Sequence, residues 1–341
     1  MMPKPKNATF ISTSLKPDRI HVRKYPQGFG NVKCGNAQSL RASNNYRLML
    51  NISLKNKARQ FGRLVRHSAQ TRRTGETRKP VLVDGKNLAV TFIGHSGFFL
   101  QIGGKNVLVD PNFAQWLFIL KRLRVPGVRI KDLPPIDYVL VTHAHFDHLH
   151  KPSLRAIARM TRRKSGAPPQ IIVPRGVHDL IYGLGYREIA ELEWWEEYAD
   201  QAFSVTHVPA RHWGARMLRD YHRGFGGYVI RSGEHSIYHA GDTAYFGGFR
   251  EIGDRLRPRG ALLPIGAYKP ASYRNVHTSP EDAVRAFIDL GAEWMVPMHY
   301  GTFRLSHEPM EEPVQLLEQE ATAAGVMDRV HVLKEGVTRV F

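Results

Sequence analysis

The stretch Thr142-His143-Ala144-His145-Phe146-Asp147-His148 places four side chains that can bind metal within six residues. It follows Tyr138-Val139-Leu140-Val141, an apolar run typical of a buried strand. Because a strand points its residues alternately to opposite faces, four ligands can surround one point only on a turn beyond its end. One segment rarely supplies a whole tetrahedral site, so the stretch predicts two adjacent metals. The expected pairs are His143 with His145 and Asp147 with His148.

Three later segments carry further candidate ligands in chain order. His212 lies in Pro209-Ala210-Arg211-His212-Trp213, Asp242 in Tyr238-His239-Ala240-Gly241-Asp242-Thr243, and His299 in Val296-Pro297-Met298-His299-Tyr300-Gly301-Thr302-Phe303. Together with the first stretch, they resemble the metallo-β-lactamase superfamily. With Ile265-Gly266-Ala267-Tyr268 and Leu133-Pro134-Pro135-Ile136-Asp137 added, the pattern is similar to the N-acyl-phosphatidylethanolamine phospholipase D branch of that superfamily. The resemblance runs from about Leu88 to the C-terminus and does not reach the first 80 residues.

This resemblance implies an α/β fold, the αββα sandwich of the metallo-β-lactamase type. It also implies two Zn²⁺ ions, or other divalent transition metals, because neutral imidazole and carboxylate suit such ions. The expected ligands are His143, His145 and His212 for the first metal, Asp147, His148 and His299 for the second, and Asp242 bridging both. Two residues are implied as catalytic. Asp147 would orient the nucleophile, and His277 would act as an acid or bind the substrate phosphate, with an ordinary loop histidine as the alternative.

The function implied by the resemblance is zinc-dependent hydrolysis of the phosphodiester in N-acyl-phosphatidylethanolamine or a related glycerophospholipid, through a hydroxide that bridges the metals. A lactone, thioester or β-lactam is the alternative substrate, because such a hydroxide attacks any of these electrophiles. A nuclease is less favoured, since the intervals between His148 and His212 and between Asp242 and His299 leave no room for the large domain that nucleases insert. An inactive member of the superfamily would lack at least one of the metal-ligand residues, and all seven are present in this sequence.

The charge of the chain is concentrated at one end. The 341 residues carry a net charge of +19. Residues 1–80 hold 18 Lys and Arg against only Asp18 and Glu76, a net charge of +16, so the remaining residues carry only +3. The basic charge therefore lies outside the expected catalytic domain, residues 81–341, and a nucleic-acid partner is not expected. The single cysteine, Cys34, excludes a disulfide framework and a thiolate metal cage.

Residues 1–80 are expected to form a basic extension that is partly disordered. Residues 1–46 lack periodicity and predict disorder, while an organelle transit peptide and a true start at Met49 remain alternatives. Residues 52–69 have the pattern of a basic amphipathic helix, which either binds an anionic membrane surface or packs on its own domain. No run of 18 apolar residues occurs. We therefore expect a cytoplasmic protein, peripheral to the membrane if the helix binds it, and a homodimer is compatible with the sequence.

Periodicity and turn residues predict the remaining elements. Strands are expected at 89–93, 98–102, 106–109, 138–141, 171–174, 204–208, 227–231, 236–239, 261–264, 294–297, 330–333 and 337–340, and helices at 151–162, 177–184, 280–290 and 311–323.

Several other segments allow two interpretations. Asp110 either supports a ligand histidine or ends a strand, and His95 is expected to be structural. Trp194 and Trp195 predict an edge strand, with a substrate platform as the less favoured alternative. If the substrate is a lipid, apolar surface should border the metal site, and the candidates are residues 113–120 and 245–249. A buried helix is the alternative for residues 113–120.

Overall fold

The computed structural model describes residues 21–24, 62–63, 65–66, 69–217 and 219–341. Its strands are β1 (His21–Lys24), β2 (Ala89–Gly94), β3 (Gly97–Ile102), β4 (Lys105–Val109), β5 (Trp116–Leu117), β6 (Leu120–Lys121), β7 (Tyr138–Leu140), β8 (Gln170–Pro174), β9 (Ile189–Leu192), β10 (Glu196–Asp200), β11 (Phe203–Val208), β12 (Gly227–Ser232), β13 (His235–His239), β14 (Gly260–Pro264), β15 (Trp294–Met298) and β16 (Thr338–Val340). Its α-helices are α1 (Lys151–Ser165), α2 (His178–Ile181), α3 (Gly248–Leu256), α4 (Pro280–Leu290) and α5 (Glu312–Ala323). Short 3-10 helices lie at Ile130–Asp132, Ala271–Asn275 and Met327–Arg329.

Two seven-stranded sheets form the centre of the fold. Their strand orders are β16-β2-β3-β4-β7-β8-β9 and β1-β10-β11-β12-β13-β14-β15, while β5 and β6 pair only with each other. In β3, Phe98 and Leu100 enter a core shared with the second sheet, whereas Phe99 enters a core with Leu154 of α1. Helices α3, α4 and α5 add Phe249 and other side chains to the first of these cores. The predicted αββα sandwich is confirmed.

The strand directions bring the predicted ligands to one edge. Strand β4 runs parallel to β7, so Asp110, which follows β4, lies beside the metal-binding stretch that follows β7. In the second sheet β13, β14 and β15 are parallel, and β11 shares their direction because two antiparallel pairings separate it from β13. His212, Asp242 and His299 therefore follow strands that end at the same edge.

Most predicted elements are present within one to three residues of their expected bounds. Helix α4 has the expected end signals: Ser279 and Asp282 form a capping box, and Gly291 closes the helix at a φ of 64°. The strand expected at 330–333 is absent, because Val330 makes only an isolated bridge to Met295 before the chain turns away. Strand β9 and helix α3 were not predicted from the sequence.

The described part of the basic extension is docked on the body of the protein. Strand β1, which lies where the sequence predicts disorder, pairs with β10 and forms the edge of that sheet. The described residues between 62 and 70 are helical, and the rest of the predicted 52–69 helix lies outside the described residues. Residues 71–80 run along residues 121–127, with hydrogen bonds that include Thr74 N to Leu123 O at 2.9 Å and Arg78 N to Gly127 O at 2.7 Å. The expected domain boundary at residue 80 coincides with the end of this docked segment.

Among the described residues, none of the helices has the length and apolar character that crossing a membrane requires.

Candidate metal centre

The structure brings together one group of four predicted ligands from both sheets. His143 Nε2, His145 Nδ1, His212 Nε2 and an Asp242 carboxylate oxygen all lie within 4.8 Å of one another. His145 Nδ1 is 2.8 Å from His143 Nε2 and 3.3 Å from His212 Nε2. A tetrahedral zinc ion with Zn–N bonds near 2.0 Å needs ligand atoms roughly 3.3 Å apart. These four side chains therefore fit a first metal.

A second group lies beside the first. Asp147 Oδ2 is 3.6 Å from His148 Nε2 and 3.8 Å from His299 Nε2. The carboxylate of Asp242 reaches both groups: Oδ1 is 3.3 Å from His148 Nε2, and Oδ2 is 3.1 Å from His299 Nε2 and 3.8 Å from His212 Nε2. This placement between the groups is what a bridging ligand requires.

Buried polar atoms without a partner indicate what the site holds. The atoms His148 Nε2, Asp242 Oδ1 and His299 Nε2 are all buried and accept or donate no hydrogen bond. A buried polar atom without a partner costs about 1–3 kcal/mol, so such atoms seldom converge on one point without a ligand. Their donor types, imidazole and carboxylate, are those that bind zinc and similar transition metals. The residues present therefore fit two such ions.

Groups behind the ligands fix their orientation. Asp110 Oδ2 lies 2.7 Å from Nδ1 of His148, and the same carboxylate accepts hydrogen bonds from the backbone N–H and hydroxyl of Thr142. His212 Nδ1 is 2.8 Å from the carbonyl oxygen of Val276. Such partners hold Nδ1 of each ring and leave Nε2 available to bind a metal. Asp110 thus contacts the candidate ligand His148, as expected if it supports a ligand histidine.

Burial and charge set the protonation of the ligands. Burial lowers the pKa of His145 to about 4 and the pKa values of His143 and His212 well below their usual range, so these rings are neutral and able to bind metal at neutral pH. Burial also acts against the cation of His299, but the carboxylates of Asp242 and Asp147 raise its pKa to about 9. Metal binding at the second group must therefore displace a proton.

The predicted catalytic residue His277 lies at the mouth of the centre. Its Nδ1 is 3.9 Å from Asp242 Oδ2, and its ring stacks on His299 with centroids 5.3 Å apart. Burial lowers the pKa of His277 to about 3, and its Nδ1 has no hydrogen-bond partner. A neutral ring of this kind can donate one N–H to a substrate oxygen, but it carries no proton to act as a general acid at neutral pH.

The sequence did not predict that His95 contacts the centre. Its Nε2 lies 2.9 Å from Asp147 Oδ2, and its carbonyl oxygen accepts the backbone N–H of His299 at 2.8 Å. Burial lowers the pKa of His95 to about 4, so the neutral ring donates its Nε2–H to Asp147. His95 has a φ of 61° after Gly94, which ends β2. No local pattern reveals the contact, because 52 residues separate His95 from Asp147.

Two further residues that the sequence did not predict surround the metal-binding stretch. Trp213 packs on the rings of His212 and His145, with centroids 4.2 Å and 4.7 Å away. Arg216 donates to the carbonyl oxygens of Ala144 and Leu149, and its guanidinium carbon is 3.7 Å from the ring centroid of Phe146. In the sequence, only their position shortly after His212 indicates that these two residues lie near the centre.

A short hairpin of β5 and β6 extends from the same edge. Trp116, Phe118 and Ile119 are 47%, 74% and 44% exposed, whereas Leu117 is buried against Phe303. The Phe118 ring meets Phe146 of the metal-binding stretch edge-on, with centroids 4.5 Å apart. Residues 113–120 are therefore not a buried helix: they lead into a hairpin whose exposed side chains lie beside the candidate metal centre.

Two other sequence candidates lie elsewhere. The segment 245–249 does not border the centre as exposed surface, because Phe249 is fully buried and Phe246 packs against the same core. Trp194 donates its ring N–H to the carbonyl of Phe225, and Trp195 is covered by Arg255. Both tryptophans lie just before β10 and contact none of the predicted metal ligands.

The sequence has relatives that match most of the catalytic region. A profile described as "Beta-lactamase superfamily domain" matches residues 105–300. An uncharacterised protein of Mycobacterium tuberculosis is 36% identical over 243 residues, 69% of this chain and 64% of its own length. The N-acyl-phosphatidylethanolamine-hydrolyzing phospholipase D of Saccharomyces cerevisiae, a mitochondrial protein, is 30% identical over 74% of this chain and 55% of its own length. The chain thus spans less than two thirds of each of these relatives.

A further relative has nearly the same extent as the catalytic region, and solved structures share the fold. A UPF0173 metal-dependent hydrolase of Rubrobacter xylanophilus is 32% identical over 72% of this chain and 94% of its own length. An isothiocyanate hydrolase from Delia radicum gut bacteria superposes with a TM-score of 0.61 at 22% identity, over 74% of this chain and 99% of its own. The His and Asp clusters agree with this assignment, and the chain belongs to the metal-dependent hydrolases of the metallo-β-lactamase superfamily.

Proposed function

We propose that this protein hydrolyses a glycerophospholipid at the phosphodiester bond on the headgroup side, as a phospholipase D does, and that N-acyl-phosphatidylethanolamine is its substrate. In this reaction water adds to phosphorus and the bond from phosphorus to the headgroup oxygen breaks. The products are phosphatidate and an N-acylethanolamine, with one proton released. Relatives from yeast and Caenorhabditis elegans that carry this activity in their names support the proposal, at 30% and 29% identity.

The observation that carries the proposal is the exposed hairpin beside the metal-binding stretch. A lipid phosphodiesterase must bring a polar headgroup to the metals while the acyl chains remain in apolar surroundings. The hairpin tip, Phe118 and Ile119, offers apolar side chains to solvent, and Phe118 contacts Phe146 within the stretch itself. Exposed apolar patches of this kind mark contacts with membranes or partners. An enzyme for a small soluble ester would gain nothing from an exposed phenylalanine at this place.

The metals in this proposal are two Zn²⁺ ions. His143, His145 and His212 would hold the first ion, Asp147, His148 and His299 the second, and Asp242 both. Such ions stabilise negative charge on the phosphoryl oxygens and lower the pKa of water towards ~7. Asp147, whose carboxylate lies 2.9 Å from His95 Nε2, would orient the attacking water and receive its proton.

His277 would bind a phosphoryl oxygen through a ring N–H. The ring is neutral, only 12% of its side chain is exposed, and its unpartnered Nδ1 lies near Asp242. A fixed donor at this position costs no rearrangement when charge develops on the substrate. We assign His277 to this role and not to that of a general acid.

We further propose that the protein works at an anionic membrane surface. The basic extension adds a charge of +16, and its described end, residues 71–80, is bonded to the hairpin region. Arg73 donates to the carbonyl oxygens of Gln115 and Arg122, on either side of the hairpin, at 3.0 Å in both cases. Lys and Arg near an anionic surface contribute about 1 kcal/mol each.

The test is a substrate panel with one preparation of zinc-loaded protein. N-acyl-phosphatidylethanolamine in vesicles, a soluble phosphodiester, a lactone, a thioester and a β-lactam are compared by kcat/KM, and the metal content is measured on the same batch. The proposal expects turnover of the lipid with release of phosphatidate, and slower turnover of the soluble phosphodiester. If the lactone or the β-lactam is preferred while the lipid is untouched, the lipid assignment is wrong although the metal centre stands.

A further inference from the structure

A cavity of about 290 Å³ lies next to the metal centre but outside it. Three arginines line it, together with polar and apolar residues: Thr71, Arg72, Thr74, Leu123, Arg124, Gly301, Arg304, Pro309, Met310 and Glu311. Glu311 is the one acidic residue in this set. Three guanidinium groups, against the carboxylates of Glu311 and of Glu335, which pairs with Arg124, give this cavity, called here the arginine cavity, a net positive charge.

Arg124 is held at the wall of the cavity by close packing against the backbone. Its guanidinium lies so close to Gly301 that a Cβ added there would be 3.1 Å from its central carbon, and Gly301 has a φ of 70°. Glycine is therefore needed at position 301 for two reasons, space and backbone conformation. Glu335 approaches Arg124 only at 3.4 Å. The guanidinium is thus positioned by packing, and one long ion pair does not use its five donors.

The basic extension supplies the opposite wall. The backbone of Thr74 bonds on both sides to the body, donating to Leu123 O and accepting from Val125 N, each at 2.9 Å. These bonds bring Arg72, which is exposed, to the same cavity as Arg124. The cavity therefore forms where the extension meets the catalytic body. Leu123 N also donates to Thr302 O at 2.8 Å, three residues after the candidate ligand His299.

We propose that the arginine cavity binds the phosphate group of a phosphomonoester, as a site separate from the metals. Guanidinium groups present paired donors that match phosphate oxygens, and a dianion compensates the positive charge of the cavity. The hydroxyls of Thr71 and Thr74 add polar groups at its edge. This site does not depend on the proposed function, because none of the predicted metal ligands lines the cavity. A soluble phosphomonoester and a phosphomonoester lipid headgroup present the same chemistry to the arginines.

The experiment measures binding of inorganic phosphate to the full, zinc-loaded chain by equilibrium dialysis. Two classes of site are expected, one at the metals and one at the arginine cavity. The paired change Arg72→Ser with Arg304→Ser should abolish the second class or weaken it at least about tenfold, since it removes two of the three guanidinium groups that would donate to the phosphate. The control, Arg162→Ser with Arg163→Ser at the exposed end of α1, removes the same charge and should leave both classes unchanged.

Vesicles distinguish the two sources of phosphate. Stronger binding to phosphatidylcholine vesicles that contain phosphatidate, lost in the Arg72/Arg304 variant, identifies a lipid headgroup. Phosphate binding at the cavity without any preference for phosphatidate identifies a soluble ligand. If the variant and wild type bind both probes equally, the inference is wrong.

A thermal melt checks that the variant is folded, and Arg72→Ser alone, at an exposed position, provides a second test. None of these readouts requires turnover, so a failed lipid assay does not affect them.

Discussion

Nδ1 of His148 lies 2.7 Å from Oδ2 of Asp110, and both side chains are fully buried. The bond is made between loops that follow two parallel strands, β7 and β4, so the sheet itself sets the distance. It leaves Nε2 of His148 directed at Asp242. The orientation of this ligand is therefore determined before any metal binds.

The change Asp110→Asn should weaken binding of the second metal. The variant keeps the shape of the side chain but loses the charge that orients and polarises His148, and such changes cost about 10–100-fold in metal affinity or activity. Competition with a chelator, followed by elemental analysis, measures the loss. Asp132→Asn, at an aspartate that pairs with Arg129 on the surface, serves as the control and should bind metal normally. If Asp110→Asn binds metal as tightly as wild type, Asp110 does not contribute to metal binding.

The change Asp242→Ala should affect both metals. Its carboxylate lies near ligands of both groups, so the variant should contain clearly less than the roughly two ions expected for wild type and should show no measurable turnover. Elemental analysis and a phosphodiester assay test this on one batch. A variant that retains two ions and full activity would show that the carboxylate does not bridge.

Replacing Trp116 and Phe118 with Ser should separate lipid hydrolysis from chemistry at the metals. Both side chains are largely exposed, so the free energy of unfolding should change by less than about 1 kcal/mol. Vesicle binding and phospholipid turnover should fall at least about tenfold, because burial of each aromatic side chain is worth roughly 1.5–3 kcal/mol. Hydrolysis of a soluble phosphodiester should be retained. Tyr182→Ser, which removes another exposed aromatic ring, should alter neither activity. An equal loss on both substrates would contradict a role in lipid binding.

His207 should make the protein less stable in acid. Burial lowers its pKa from 6.5 to about 4, so the unfolded chain binds a proton between these values while the folded chain does not. Stability must then decrease as the pH falls from 6.5 to about 4, by up to about 3 kcal/mol for this group. Urea unfolding of wild type and His207→Gln at both ends of this range gives the difference. Between these two pH values, the free energy of unfolding should fall by about 3 kcal/mol more in wild type than in the variant. An equal fall in both proteins would contradict a lowered pKa for His207.

Truncation should show where the folded unit begins. A chain starting at residue 70 keeps the hydrogen bonds of residues 71–80 to the body, whereas a chain starting at residue 81 loses at least four of them. At about 0.5–1.5 kcal/mol each, the shorter chain should be less stable by roughly 3 kcal/mol. Denaturant unfolding measures this difference. Equal stability would mean that the docked segment contributes nothing, and the predicted boundary at residue 80 would then be correct.

The sequence identifies the candidate ligands that the structure brings together, because their signal is local. The stretch from His143 to His148 is a single turn, and each of the other ligands follows an apolar run that predicts a strand. Contacts between distant segments carry no such signal. His95 reaches Asp147 across 52 residues, so the sequence favours a structural role for His95 and gives no sign of this contact.

Short and docked elements were also hidden from the sequence. Strands β5 and β6 contain only two residues each, which is too few for a periodic pattern. Three of the hydrogen bonds that attach residues 71–80 join backbone groups, which any residues other than proline can make. Their composition therefore predicted a tail, and the docking depends on the shape of the surface that they meet.

The hairpin of β5 and β6 belongs to neither large sheet. Substitutions or length changes there need not shift the strands that carry His143, His212, Asp242 and His299. Evolution can therefore exchange the surface that selects a substrate while it keeps the metal-binding scaffold intact. Within such a superfamily, we expect homologues to differ most in sequence between Phe113 and Lys121 and least at the strand ends. Grafting this hairpin between homologues would be a direct way to transfer substrate preference.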